Sequence, residues 1–278
     1  MSTLSEYRNR PHWSFSALNQ FVNICSLQYA FQRVMKLQPS FTQPSLSFGT
    51  AFHRVCEWIN LTRKDGCMPK KAEATDLFKT IWERQIQEDK RIKFDDKTPD
   101  DLSQQGQQMI GCLVDNLDPA EQVLTVNEAF AVPLVDASGE SLEAPLIGEI
   151  DTVVEKDGRK TIIDWKTSGS RWPKQKAGLD MQPTAFLYGY QHTHGEIPDF
   201  RFDVIVKNAK PVMEQHLTSR TQDQFDRMVH LVRRVEKMIA AEHWLPSAQS
   251  FYCGGCGYQD ACQAWHREAS RVSVRLAA

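Results

Sequence analysis

The chain has no surplus of either charge: 33 Lys and Arg stand against 35 Asp and Glu, a formal net charge of −2 over 278 residues. No broad positive field surrounds it, which excludes a chromatin-type nucleic-acid binder, and any polyanionic partner must be held by a local patch or through a metal. No run of about 18 apolar residues occurs, and Met1 to Phe15 contain no apolar h-region. The expectation is therefore a cytoplasmic protein with no membrane partner. Internal repeats and low-complexity tracts are also missing. With 41% apolar and 24% charged residues, wholly disordered, collagen-like and coiled-coil chains are excluded. What remains is a globular chain with length for one large domain or two small ones.

The seven cysteines are unevenly spaced. Without an export signal they are expected to be thiols, metal ligands or cluster ligands rather than disulfides. Cys67 and Cys112 read as free thiols. Cys253, Cys256 and Cys262 form C-x2-C-x5-C among Gly254, Gly255 and Gly257, a loop able to wrap a compact group. Three thiolates are one short of the four usual for a [4Fe-4S] cluster or a closed Zn2+ site. His243, His266 and Cys56 are candidates for the fourth ligand, and His266 would complete a zinc site of the C-x2-C plus C-x3-H kind.

Hydrophobic spacing predicts a helix over 14–36 behind Ser14 and Ser16, and another over 48–60. In the second, Phe52, Val55, Cys56 and Ile59 share one stripe, with His53 at its border and Glu57 one turn on. Residues 61–120 read as a helical insertion with helices near 71–90 and 100–117. Strands are expected over 122–135, 146–155, 160–167, 200–207 and 212–217, with helices over 180–194 and 222–241. In the first of these helices Asp180 is the cap, Pro183 lies in the first turn and Gly195 at the exit. The order predicts a mixed α/β domain spanning 1–278: a central sheet flanked by helices in its catalytic core over 121–241, plus a lobe built from 1–36 and 242–278.

Asp157-Gly158 between two alternating apolar runs signals a two-residue type I′ hairpin turn. Counting outward pairs Lys156 with Arg159 and so on to Thr152 with Ile163, then Asp151 with Asp164, Ile150 with Trp165, and Glu149 with Lys166. Alternation places Glu149, Asp151, Asp164 and Lys166 on one face. Opposed like charges destabilise a sheet, whereas a divalent cation between them binds; Mg2+ favours a few carboxylates plus water and substrate phosphate. Two acids and a nearby lysine are also the groups that metal-assisted phosphodiester hydrolysis requires. Glu149 opposite Lys166 reads as a cross-strand ion pair.

Gly148-Glu149-Ile150-Asp151 followed by Asp164-Trp165-Lys166 resembles the signature of the PD-(D/E)xK nucleases, with Asp in the second acidic place. Gly49-Thr50-Ala51-Phe52-His53 resembles the G-x-x-x-H helix of the RecB-like branch, and Met181 to Tyr188 resembles its glutamine motif. There Phe186 stands where relatives often have Tyr; Tyr190, one turn on, could stand in for it. The resemblance implies a restriction-endonuclease-like fold and a Mg2+- or Mn2+-dependent DNA exonuclease. It assigns Asp151, Asp164, His53 and the Trp165 carbonyl to the metal and Lys166 to the attacking water. Gln182 is assigned to orienting Lys166 or a phosphate, and Glu57 to orienting His53. The stretch ending at Cys25 is similar to the one that supplies the first cluster cysteine in iron-sulfur nucleases of the RecB-like, AddB-like and CRISPR-associated adaptation (Cas-four type) families. Cys25, Cys253, Cys256 and Cys262 would then hold a [4Fe-4S] cluster.

Downstream of the D-x-K strand, Arg171, Lys174 and Lys176 with the Trp172 indole read as a loop that can hold phosphate and stack a base. Arg227, Arg233, Arg234 and Lys237 read as a solvent face. The expected partner is DNA, single-stranded or with free ends, together with helicase or CRISPR adaptation proteins; residues 61–120 are expected to roof the cleft beside His53. The competing expectation is a non-catalytic or partner-dependent nucleic-acid-binding subunit of a helicase-nuclease or CRISPR adaptation complex.

Overall fold

A computed structural model describes residues 4–248 and 250–276, the side chains of 269–276 excepted; residues 1–3, 249 and 277–278 of the expected cysteine lobe lie outside the described residues. After α1 (Leu4–Arg8), α2 (Phe15–Asn19) starts at Ser14, whose hydroxyl accepts the Ala17 N–H at 3.3 Å, and continues as a π-helical turn over Gln20–Ile24. The single helix expected over 14–36 is broken. Cys25 takes an extended conformation (φ −170°, ψ 118°) and begins α3 (Ser26–Tyr29), which runs on as a second π-helical turn, Ala30–Val34. The break has a long-range cause: the Ser26 hydroxyl donates to the Leu245 carbonyl at 2.8 Å and accepts the Leu245 N–H at 2.6 Å. This side-chain pairing draws the chain toward its C-terminal part, and periodicity alone does not register it.

Then come α4 (Pro44–Lys64), α5 (Lys71–Glu88) and α6 (Pro99–Asp115). α4 starts a turn earlier than its apolar stripe predicts because Pro44 suits the first helical turn; Thr98 and Asp101 form a reciprocal capping box on α6. The remaining elements are β1 (Gln122–Val132), β2 (Leu146–Lys156), β3 (Arg159–Ser168), α7 (Lys176–Leu179), α8 (Gln182–His194), β4 (Asp199–Val206), β5 (Val212–Thr218), α9 (Gln222–Ala240) and α10 (Gln259–Leu276). The sheet order is β1-β2-β3-β4-β5, antiparallel except for β3 beside β4, which the α8 crossover makes parallel. This mixed sheet with flanking helices is the expected restriction-endonuclease-like α/β architecture.

Both faces of the sheet are covered. On one, Val153, Ile162, Phe200 and Phe202 pack with Leu187 and Tyr188 of α8, Phe225 and Val229 of α9, and Trp13 and Leu18. On the other, Val154, Ile163, Trp165 and Ile205 pack with Phe52 and Val55 of α4, Phe78 and Trp82 of α5, and Met109 and Leu113 of α6. The 61–120 helices are thus the second layer of the core rather than a roof. Their apolar residues lie at helical spacing and are buried, which an exposed lid would not achieve.

A third, small cluster joins Leu27 and Phe31 to Tyr258. The cysteine loop is tied to the segment ahead of α4: the Gln43 amide donates to the Gly255 carbonyl, the Ser40 N–H to the Gly257 carbonyl at 2.9 Å, and the Tyr258 hydroxyl to the Leu37 carbonyl at 3.3 Å. Among the described residues no helix is long and apolar enough to cross a membrane.

Candidate active site

Asp157 and Gly158 have φ of 51° and 73°, the two positive angles of a type I′ turn. From that turn the β2–β3 ladder runs in the predicted register through Lys156↔Arg159, Glu155↔Lys160, Val154↔Thr161, Val153↔Ile162 and Thr152↔Ile163. There it stops. The expected pairs Asp151–Asp164, Ile150–Trp165 and Glu149–Lys166 do not form. Each strand follows its other neighbour instead, Ile150 and Glu149 pairing with Glu128 and Ala129 of β1, and Asp164 and Lys166 with Phe202 and Val204 of β4. Two carboxylates at the next rung would repel, and both strands have a second edge to satisfy their backbone groups, so the hairpin forks at its acids.

Side chains converge on this fork from both layers. α4 brings His53, whose Nδ1 lies 3.2 Å from Asp151 Oδ2. From the first turn of α8, the Gln182 amide donates to Asp164 Oδ1, so Gln182 orients the aspartate and not Lys166. Asp180 accepts the Gln182 N–H at 2.8 Å, one residue before the Met181 cap. Lys166 Nζ is 2.6 Å from Asp164 Oδ2 and lies over the Phe202 ring at 5.7 Å. It therefore pairs with Asp164, and among the described residues no ion pair joins it to Glu149. Glu57 lines the same cleft, but the group against His53 Nδ1 is Asp151.

Burial pushes the Asp164 carboxyl above the usual carboxylate range, against the pull of Lys166. Burial works on Lys166 in the opposite sense, but Asp164 and Asp151 overcome it and hold the ammonium above its ordinary value. His53 is also held up: burial lowers it, and the Asp151 and Asp164 carboxylates outweigh that. Asp151 Oδ2 and Asp164 Oδ2 are both buried, and their neighbours are the ion contacts with His53 at 3.2 Å and Lys166 at 2.6 Å. Two buried carboxylates brought to one place, each with a lone pair left over, suit a hard divalent cation, which takes a few carboxylates and otherwise water.

The cleft in front of them is about 500 Å3, lined by Gly49, His53, Glu57, Glu149 and Asp151 among others. A Cβ on Gly49 would meet nothing within 4 Å, so glycine there leaves the cleft open. Gly148 has a different reason. A Cβ on it would lie 2.5 Å from the Phe130 ring, and one on Gly189 of α8 would lie 2.3 Å from the same ring. The two glycines clasp Phe130 and let α8 approach β2, which brings Gln182 to the fork.

Other predicted residues fall elsewhere. Phe186 packs on Phe130 and Phe200, and Tyr190 is buried beside His194, with Lys160 and Glu196 as its charged neighbours. Tyr190 therefore does not substitute for a hydroxyl at position 186. Trp165, by contrast, borders the acidic cleft while its ring is buried in the α4 layer. Arg171 is ion-paired with Glu214 at 2.7 Å, and Trp172 packs against Phe202 and His216 under Lys176, 4.0 Å from its ring. Of that loop, Lys174 and Lys176 remain as exposed cations. Arg233 is not simply solvated: it pairs with Asp136 at 2.8 Å and Glu140 at 3.1 Å. No motif marks Arg8 or Arg33, yet both line a groove that shares Glu149 with the acidic cleft; they lie more than a hundred residues from β2, beyond any local signal.

Cys25, Cys253, Cys256 and Cys262 line one pocket of about 320 Å3, whereas Cys56, His243 and His266 do not border it. Burial and the three facing thiols push the Cys262 thiol up. Four thiols from two distant parts of the chain around one space fit the four-cysteine donor set of an iron-sulfur cluster. Among the described residues no three His, Cys, Asp or Glu are arranged to hold a single metal ion.

Known proteins resemble the chain in the same terms. No curated protein sequence matches it. Among solved structures, a putative exonuclease from Eubacterium rectale aligns with a TM-score of 0.56 at 13% identity, covering 90% of each chain. The structure of SSO0001 aligns with a TM-score of 0.44 at 11% identity, over 94% of this chain and 92% of that one. The pattern of the PD-(D/E)XK nuclease superfamily matches residues 12–263, the span that holds the fork, its histidine and glutamine, and the four cysteines, and the chain belongs to that superfamily.

Proposed function

We propose that the protein is a divalent-metal-dependent DNA exonuclease that hydrolyses phosphodiesters at single-stranded ends and carries a structural [4Fe-4S] cluster. The observation that carries the reading is the pair of buried carboxylate oxygens, Asp151 Oδ2 and Asp164 Oδ2, brought to one cleft with the Lys166 ammonium beside them. Asp151 and Asp164 would hold Mg2+ or Mn2+, with His53 and the Trp165 carbonyl alongside. A metal there supplies Lewis acidity to the scissile phosphate and lowers the pKa of the attacking water. Lys166, held charged by Asp164 at 2.6 Å, would orient that water and stabilise charge building on the phosphoryl oxygens. Gln182 fixes the Asp164 rotamer from α8, and His53 does the same for Asp151 from α4. Lys176, close enough to Lys166 to be depressed by it after burial has acted, supplies a cation for the incoming backbone. Cys25, Cys253, Cys256 and Cys262 would hold the cluster, which joins chain segments and touches no reacting atom.

End-labelled single- and double-stranded DNA, incubated with Mg2+, Mn2+ or EDTA, tests this. Stepwise shortening from free single-stranded ends, dependent on metal and lost in Asp164→Asn, is the expected result. Anaerobic purification should yield a brown protein with about four irons per chain. Cleavage unaffected by EDTA or by Asp164→Asn overturns the nuclease assignment, and zinc in place of iron overturns the cluster.

A further inference from the structure

The acidic cleft has a neighbour on the other side of Glu149, a groove of about 540 Å3 whose walls include Arg8, Ser16, Arg33, Ile147, Gly148 and Glu149. Its outer wall is stapled in place. The Trp13 N–H donates to the Pro145 carbonyl and the Ile147 N–H to the Trp13 carbonyl, both at 2.8 Å, while the Trp13 indole reaches Glu236 at 2.9 Å. The N-terminal segment thus runs beside the strand that carries Glu149 and Asp151.

The two arginines of this groove carry charge that no carboxylate among the described residues cancels. Arg84, Arg91, Arg171, Arg201 and Arg233 each have a carboxylate within ion-pair distance. Among the described residues Arg8 has none, and Arg33 is held only by neutral groups, donating to Gln20 Oε1 at 2.9 Å and Ser16 Oγ at 3.3 Å. These bonds aim the Arg33 guanidinium without cancelling its charge. Burial first, and then the neighbouring Arg8, disfavour the charge on Arg33. Glu149 is the acid nearest the pair in the groove, and it forms no ion pair with either. Two guanidiniums lining one groove repel one another, and a phosphate bound between them would turn that repulsion into charge-assisted hydrogen bonding.

We infer that this groove is a track for the phosphodiester backbone of the single strand that reaches the fork, with Arg8 and Arg33 as its phosphate contacts. The inference rests on the nuclease reading for its ligand, and deepens it by giving the strand a route past Glu149 to Asp151.

Binding of a fluorescein-labelled oligothymidine to the full chain, followed by anisotropy in EDTA over a range of salt concentrations, tests the track without cleavage. Arg8→Ala should weaken binding about tenfold, the size of a lost charged hydrogen bond. It should also flatten the slope of log K against log salt by about 0.7, one single-strand phosphate contact. Arg8→Lys should restore the slope, and Arg234→Ala, which does not border the groove, should change neither quantity. Arg33→Ala should act like Arg8→Ala; because it also releases Gln20 and Ser16, its melting temperature is measured alongside, and Arg8, with no such bonds, carries the decision if Arg33→Ala unfolds. Wild-type affinity and slope in Arg8→Ala, or no binding by the wild type, overturns the track. A wild type that cleaves while Arg8→Ala binds normally removes the track and leaves the nuclease. One that binds with the predicted slopes but never cleaves removes the nuclease and leaves the track.

Discussion

The acidic fork rests on both layers of the core at once, with Ile163 and Trp165 of β3 packed against α4 on one side and Ile162 and the neighbouring Phe202 packed against α8 on the other. The part of the lobe around the four thiols, 25–34 and 253–262, has a small cluster of its own in which Leu27, Phe31 and Tyr258 are buried. The fork's geometry is therefore set by dense packing that exists before any ligand arrives, and its like charges are tolerated because the surrounding structure over-determines them. The lobe buries too little apolar surface to be held the same way, and its order depends on ties between distant segments. One region is stable and electrostatically strained; the other is relaxed and weakly held.

Variants that strike one region and spare the other test this contrast. The largest effect is expected for Asp151→Asn: cleavage should fall on the order of a thousandfold, as when a transition-state charge loses its stabilisation, with iron content unchanged. Single-turnover assays and iron analysis of one preparation check both halves. A loss of iron in this variant would break the separation. Next is Cys25→Ala, which should lose iron and about 2–4 kcal/mol, the usual worth of a crosslink closing a long loop. Hydrogen exchange should quicken in 26–34 and 253–262 while β2 and β3 stay protected; uniform loosening would show that the lobe supports the sheet after all.

Gly148→Ala should be milder, about 1–3 kcal/mol in urea unfolding, since a Cβ would press on the Phe130 ring. It should keep its iron yet slow cleavage by displacing α8 and Gln182, and a wild-type rate would uncouple that packing from the site. The smallest effect belongs to Cys112→Ala. This half-buried thiol donates to the Pro211 carbonyl at 3.3 Å and touches neither region, so stability should move by less than about 0.5 kcal/mol and iron not at all.

Much of the fork was legible before any coordinates. The Asp157-Gly158 turn sets a register that the next five rungs obey, because alternation and turn geometry are local rules. The sixth rung fails because its outcome depends on β1 and β4, which offer the two strands other partners, and nothing inside the hairpin sequence records that competition. Gln182 shows the same limit. Its place in a motif was visible, but its bond to Asp164 depends on how closely α8 approaches the sheet over Gly148 and Gly189. Trp172 and Arg171 looked available because a loop of cations and an indole reads as a binding surface, whereas Phe202, His216 and Glu214 from two strands farther along had already claimed them. The break at Cys25 escaped periodicity because its cause, Ser26 bonded to Leu245, spans most of the chain.

That span has a consequence for how the molecule is made. The Gln28 side chain meets the Cys256 thiol at 3.5 Å across 228 residues. On a ribosome adding about 5–20 residues per second, tens of seconds separate the two halves of the lobe. By the time Cys253 emerges, every strand of the sheet has been synthesised, so the fork can assemble while α3 still lacks its partner. The loop ahead of α4 receives its ties from Gly255 and Gly257 only after that. A nascent chain can thus hold its two aspartates in position, with the start of α4 already tied through Thr42 to Asp89, Arg91 and Lys93, before the cysteine loop adds its own bonds to that segment.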